Sequence, residues 1–464
     1  MRKIVFLFLF LVSSISFSQE LTSTLSLQEY LGYVKQFHPI VKQASLVIDE
    51  SEAKLLKSRG AFDPKLEVDY DQKQFKGSEY FDKLNATFKI PTWYGVELKA
   101  SFEENSGIFL NPEANVPDDG LYSVGVSVSL ARGLLMNERM SMLKQAKFFR
   151  EQAKADRILF VNKILFDASK AYFKWLKLYN EKLVYESFLT NAELRFNGVK
   201  KSFEEGERAA IDTLEAGITV NTRKLNLERA SIKFTKATLE LSNFLWLENN
   251  TPIELQNDVI PDLNTRNDID VVLSLSSLEL DTLDINTHPK MVSLDNKFEG
   301  LKVDKRLKAN RLLPQIDLEY NFLTETPELI NSLDQNQYKG TLRVKFPLFL
   351  RKERGDLKLS KLKLQDVEYE IASTRLGLNN KINAISQEIL SLERQTGYAE
   401  RIVDDYQTLL RAEERKFTLG ESSIFLVNSR ESKLIDSKLK AIKVLNDFLQ
   451  SKANLVNTLA LMNP

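Results

Sequence analysis

Pro64-Lys65-Leu66-Glu67-Val68-Asp69-Tyr70 is echoed 250 residues later by Pro314-Gln315-Ile316-Asp317-Leu318-Glu319-Tyr320. Both stretches alternate apolar and polar side chains, the period of a strand with one covered face. Both open on proline, which suits the first residue of a strand. The echo extends outward in both directions. His38-Pro39 recurs as His288-Pro289, each His-Pro proline standing 25 residues before the strand's proline. Gly125 precedes Glu138-Arg139 by 13 residues, as Gly340 precedes Glu353-Arg354. Phe203-Glu204-Glu205-Gly206-Glu207 is answered by Phe417-Thr418-Leu419-Gly420-Glu421. Landmarks repeated in one order mark a duplicated structural unit. The chain is therefore read as two units, residues 19–248 and 287–464, joined by an Asn-, Asp- and Thr-rich segment, 249–286.

Each unit has the order short helix, strands, long helix, turn, long helix. In the first unit the strands are expected over about 65–131, and the helical hairpin over about 137–202 and 208–247. In the second unit the corresponding ranges are about 315–349 and 352–462. Ile158, Leu165, Tyr172 and Tyr179 recur every seven residues, with Val161, Ala168 and Trp175 in the companion position. Ile211, Ile218, Leu225, Ile232, Leu239 and Trp246 repeat the period, as do Leu357, Leu364, Ile371, Leu378, Ile385 and Leu392. The last helix carries Ile435, Ile442, Leu449 and Val456 at the same interval. A sustained heptad keeps one seam against a partner and imposes left-handed supercoiling. A helix of about 65 residues is roughly 100 Å long, several times the diameter of a compact domain. Such helices must lie side by side as a rod or a tube.

Six segments alternate strictly: Leu66/Val68/Tyr70, Leu84/Ala86/Phe88/Ile90, Tyr94/Val96/Leu98/Ala100/Phe102, Val124/Val126/Val128/Leu130, Ile316/Leu318/Tyr320/Phe322 and Leu342/Val344/Phe346. A half-buried soluble sheet gives the same alternation, but these strands lie between long helices with no second sheet to cover them. The chain also opens like an export signal, with Arg2 and Lys3, an apolar Ile4 to Val12, and small residues at Ser16-Phe17-Ser18. Strand lengths near 10 residues suit a tilted bilayer crossing. A chain that leaves a helix below the membrane must return there, so each unit needs an even number of strands. The first offers four and the second two. The Pro91-Thr92-Trp93-Tyr94-Gly95 turn is expected on the periplasmic side with its aromatics in the interface belt. The 111–119 loop is expected outside.

Composition excludes several classes. Lys+Arg and Asp+Glu balance at 64 each, which gives no electrostatic case for nucleic acid. There is no Cys, hence no disulfide, no thiol chemistry and no lipobox. Gly at 17 and Pro at 12 are scarce for this length, in keeping with long uninterrupted helices. The two His residues occupy matching positions before proline and read as structural. No phosphate loop, metal-ligand spacing or nucleophile motif is present, so no catalytic residue, metal or cofactor is expected.

The Leu25-Ser26-Leu27-Gln28-Glu29 opening, the paired His-Pro and Pro-strand landmarks and the two Phe-x-x-Gly-Glu turns together resemble the TolC-type outer-membrane efflux proteins. The resemblance covers nearly all of the chain after the signal. It implies a mainly α fold with a membrane β-barrel, in which long coiled-coil helices form a periplasmic α-barrel. Four to six transmembrane strands per protomer and a homotrimer follow from it, with 249–286 at the equator. It implies the exit duct of a tripartite efflux or type I secretion system, fed by an inner-membrane transporter through a periplasmic adaptor. Relatives carry two strands per unit, twelve per trimer. Here either all six enter the wall, giving eighteen, or residues near 76–105 stand outside it as a hairpin.

The tips of the helical hairpins are the expected adaptor-docking ends: Phe203, Gly206, Glu207, Phe417, Gly420 and Glu421. In relatives, aspartates just past the second turn constrict the pore, whereas here that stretch, Ser423 to Ser429, has no carboxylate. Asp212 in the first turn is the nearest acidic candidate, although a carboxylate at a helix start also has a dipole role. Phe425 and Leu426 would form an apolar constriction, with Asn428 beside them. The competing reading is a periplasmic coiled-coil binding or structural protein with a small soluble sheet.

Overall fold

The computed structural model describes residues 24–256, 258–277, 284–326 and 334–462; the expected export signal lies outside them. The chain begins with β1 (Thr24–Leu25), α1 (Leu27–Phe37) and α2 (Pro39–Arg59). Four strands follow, β2 (Lys65–Phe75), β3 (Ser78–Pro91), β4 (Val96–Ser106) and β5 (Leu121–Ala131), then the long helices α3 (Glu138–Glu204) and α4 (Ala210–Ser242). The connection holds β6 (Trp246–Leu247), β7 (Thr251–Pro252), β8 (Ile260–Pro261) and α5 (Thr265–Val272). The chain then runs through α6 (Pro289–Asn310), β9 (Gln315–Thr324), β10 (Tyr338–Lys345), α7 (Arg351–Thr418) and α8 (Ile424–Thr458). Matching elements have matching lengths: 21 and 22 residues for α2 and α6, 67 and 68 for α3 and α7, 33 and 35 for α4 and α8. Among the described residues no helix is long and apolar enough to cross a membrane.

All six long strands join one antiparallel sheet in the order β10-β9-β5-β4-β3-β2. β3 and β4, the segment that could have stood apart as a hairpin, lie inside it between β2 and β5. Register carries the apolar row across the sheet, with Leu66 opposite Phe88, Phe88 opposite Ala100, Ala100 opposite Val124 and Val124 opposite Phe322. The other face is polar and internally paired. Lys89 pairs with Glu67, and Lys99 reaches Glu319 at 2.9 Å across the intervening β5. That reach is possible because β5 presents only Gly125 and Ser127 there. A Cβ at Gly125 would fall 2.2 Å from the Tyr320 carbonyl oxygen, so only glycine lets β5 and β9 approach this closely.

The strands join the helices through a small apolar plug. Trp93 stacks on Phe62 with centroids 5.6 Å apart, and packs with Met136, Met140, Val303 and Leu307. Asn137, the α3 N-cap, donates to the Trp93 carbonyl at 2.9 Å. Only Tyr94 of the two turn aromatics is exposed, so the expectation that both face an interface belt is corrected. Trp93 is drawn inward because the turn docks on the start of α3.

Helix α3 runs the full length of the helical layer, packing on α2, α6, α4 and α8. α7 lines the other side, packed on α6 and α8. The largest core lies midway along α3, where Leu165, Tyr172 and Trp175 meet Tyr30, Leu31, Leu241, Ile269 and Leu449. Tyr172 donates to the Leu25 carbonyl at 2.8 Å and is pushed up to about 12 by burial. The connecting segment thus folds onto the middle of the long helices.

The heptads divide in an informative way. Leu165, Ala168, Tyr172 and Trp175 on α3, and Leu364, Ile385 and Leu392 on α7, are buried. The α4 stripe Ile211, Ile218, Leu225, Ile232 and Leu239 is exposed instead. α4 faces its own chain with Ala216, Val220, Arg223, Ala230 and Ala237, of which the three alanines let two helices approach. α4 ends at Ser242, short of the expected 247, and Trp246 lies in β6.

His38 and His288 are the N-caps of α2 and α6, each ring accepting from a backbone N–H two residues on through Nδ1 at 3.1 Å. The other nitrogen of His288 lies 3.0 Å from the Thr458 carbonyl, and His38 is bonded to the backbone of Asn243. Each neutral imidazole thus ties the start of a short helix to the end of α8 or α4. Burial holds both below the ordinary histidine value, against the raising effect of the carbonyl bond. A lowered folded value means the unfolded chain takes up more protons as pH falls below about 6.5, so stability is full above that value and declines on acidification. Thermal unfolding at pH 7.5 and 5 is expected to show this loss. His38→Asn with His288→Asn keeps an N-cap acceptor and removes much of the difference.

Candidate functional site

The two hairpin turns at the end of the helical layer are built alike. Glu207 N–H bonds the Ser202 carbonyl at 2.9 Å and Gly206 N–H bonds Phe203 at 3.0 Å. Glu421 N–H likewise bonds Lys416 at 2.9 Å and Gly420 N–H bonds Phe417 at 3.2 Å. Gly206 and Gly420 are left-handed at φ 79° and 78°. This is the Schellman ending, in which glycine satisfies the last helical carbonyls. Nothing stands within 4 Å of where a Cβ would be at either glycine, so both turns are open to a partner.

The turns are equivalent in backbone and different in side chains. Phe203 is exposed, whereas Phe417 turns inward onto Val427 and Ile424. Arg208 lies over the Phe417 ring at 4.1 Å and donates to the Phe417 carbonyl at 3.4 Å, locking one turn to the other. Glu207 and Glu421 are exposed. Asp212 is half-buried, 4.0 Å from Arg208, so its charge is partly matched within the chain. Phe425 and Leu426 are exposed at the start of α8. Asn428 is brought to a different place: it accepts from Arg195 at 3.2 Å and sits 3.5 Å from Glu215, inside the four-helix packing. It therefore does not stand free beside Leu426.

About two turns into α8 lies a feature that sequence reading missed. Glu431 is fully buried and pairs with Arg195 of α3 and Arg223 of α4, each at 3.1 Å. Arg195 also reaches Glu414 of α7 at 3.1 Å, so one ionic node ties all four long helices above the tips. Its members look like ordinary surface charges in a chain that is 28% charged. The available signal was Arg223 standing on the seam of Ala216, Ala230 and Ala237. Among the described residues no group of three or more His, Asp or Glu is placed to hold a metal.

The lateral edges are as distinctive as the tips. β2 and β10 end the sheet and are exposed along their whole lengths. Beside them the helical layer ends in the exposed Ile211 stripe of α4 on one side. On the other it ends in Leu362, Tyr369, Leu376 and Leu390 of α7.

Comparison with known proteins bears on this architecture. Residues 304–461 match the family model described as outer membrane efflux protein. No curated protein matches in sequence. Among solved structures, the channel CusC is similar with a TM-score of 0.67 and 12% identity, over 93% of this chain and 91% of that one. The CmeC outer membrane channel of Campylobacter jejuni gives 0.65 and 11%, over 94% and 85%. The outer membrane protein VceC of Vibrio cholerae gives 0.64 and 10%, over 94% and 96%. At such identities the likeness is one of fold, and it extends through strands, helices and connection alike. The TolC-type resemblance drawn from the sequence is borne out: residues 304–461 match the outer membrane efflux protein family model, and nearly the full length of the chain shares its fold with solved outer-membrane channels.

Proposed function

We propose that three copies of this chain close into a ring that serves as the outer-membrane exit duct of a tripartite efflux or secretion system. Eighteen strands, six from each copy, make the membrane wall, and the helices make a periplasmic tube. The observation that carries this is that both layers are open on the same two sides. Head-to-tail contact between unlike edges closes a ring when the rotation permits, and an even strand number makes β10 antiparallel to β2 of the next copy. Six strands alone enclose too little space for a duct. The apolar sheet face meets lipid, with exposed Tyr94, Leu134, Leu135, Leu348 and Phe349 forming a collar at the helical end. Substrate delivered by an inner-membrane transporter passes through passively, and the two matched helical hairpins present the tips to a periplasmic adaptor.

Native mass measurement of the detergent-extracted protein is expected to give three chains. Release from cells by osmotic shock without detergent sinks the reading in favour of a periplasmic coiled-coil protein. Docking is tested by Gly206→Leu with Gly420→Leu, which places side chains where the backbone is left-handed. Crosslinking to the adaptor and export should both fall while the trimer survives. Unchanged crosslinking and export remove the tips from the docking site.

A further inference from the structure

Resting on the ring reading, we infer that the seam between copies is an acid–base zipper, in which Asp69 and Glu67 of β2 face Arg343 and Lys345 of the next copy's β10, with Asp71 diagonal to Arg343. Several charges on the polar face are matched between neighbouring strands. Lys99 pairs with Glu319 and Lys89 reaches Glu67, while Ser129 donates to Asp317 at 2.5 Å. Asp69 and Asp71 on β2, and Arg343 and Lys345 on β10, make no hydrogen bond or ion pair among the described residues. Asp71 stands opposite Lys83 and Arg343 opposite Asp317 within the sheet, yet the middle of one open edge is acidic, at Glu67, Asp69 and Asp71, and the other edge is basic, at Lys339, Arg343 and Lys345, on the same face. Opposite charges across an antiparallel pair are stabilising and like charges are not.

The register follows from the same rule. Only pairings that keep both apolar rows on one face are allowed, because a one-residue slip turns every side chain over. Setting Asp69 opposite Arg343 also sets Glu67 opposite Lys345, leaves Asp71 diagonal to Arg343, and places Val68 on Val344 and Leu66 on Phe346. A slip of two residues one way puts Lys65 on Lys345. A slip of two the other way also matches charges, Asp69 on Lys345 and Asp71 on Arg343, but carries Glu67 past the end of β10 onto Pro347, which has no N–H for a ladder.

The chain has no cysteine, so introduced pairs report without background. Val68→Cys with Val344→Cys is expected to give covalently linked trimers on mild oxidation, and Val68→Cys with Leu342→Cys markedly less. Asp69→Arg or Arg343→Asp alone should lower the trimer fraction in detergent several-fold, and combining them should restore most of it. A wild-type trimer that is indifferent to the reversals, or linked through the Leu342 pair instead, overturns the seam and leaves the ring standing. A wild-type chain that is not oligomeric in detergent overturns both.

Discussion

Glu431→Ala is expected to cost about 3–5 kcal/mol of stability, the scale of breaking a buried ion pair from one side. The magnitude follows from what is stranded. Arg223 is nearly buried and keeps only Ser432 Oγ at 3.3 Å, and Arg195 retains Glu414 and Asn428. The loss should be felt first in the tip half of α4 and α8, because the node is what joins them. Thermal unfolding at fixed protein and detergent concentration reads the global loss. Limited proteolysis near residues 204–210 and 418–424 reads the local one. Replacing both partners with apolar residues, Arg223→Leu with Glu431→Leu, should recover much of the deficit, since no buried charge is then left alone. A midpoint unchanged by Glu431→Ala shows the node to be dispensable.

Trp175→Ala is expected to cost about 3–5 kcal/mol through a different mechanism, the cavity left by a large buried ring. Trp175 is fully buried at the middle of α3, stacked on Phe234 with centroids 6.1 Å apart and edge-on to Tyr172 at 5.8 Å. Its indole N–H donates to Thr238 Oγ1 at 2.9 Å, so truncation also removes a buried hydrogen bond. The defect lies where the connecting segment seats on α3, so hydrogen exchange should accelerate in α1, α5 and the end of α4 before it does at the tips. Trp175→Phe keeps most of the apolar contact and should recover more than half of the loss. Equal effects of the two substitutions count against the cavity account.

Much of this architecture was legible in the chain. Pro64 and Pro314 mark the strand starts, His38-Pro39 and His288-Pro289 the helix starts, and Gly206 and Gly420 the helix ends. Each works through local backbone chemistry: a fixed φ, a side-chain cap, a left-handed turn. Such effects need no distant partner, and they held within a residue or two. The alternating strands were also legible, although their joining into one six-stranded sheet depended on Gly125 allowing β5 and β9 to close. The candidate site was less so. Gly206 and Gly420 end their turns as expected, but Asn428 is tied into the helical packing and Asp212 is partly matched by Arg208.

What the sequence by itself determined is which residues share a face. Heptad spacing aligns Ile211, Ile218, Leu225, Ile232 and Leu239 whatever surrounds them, because the helix period is a property of the backbone. Tertiary structure decided what each face meets. α3 covers the alanine seam of α4 and leaves the isoleucine stripe outside, since small residues bring two long helices closest. Burying Glu431 with two arginines was likewise a tertiary decision, made by four helices converging on one point. Periodicity is local and is written in spacing. Which partner covers a face is settled by packing between segments as far apart as Arg195 and Glu431, and no local pattern records it.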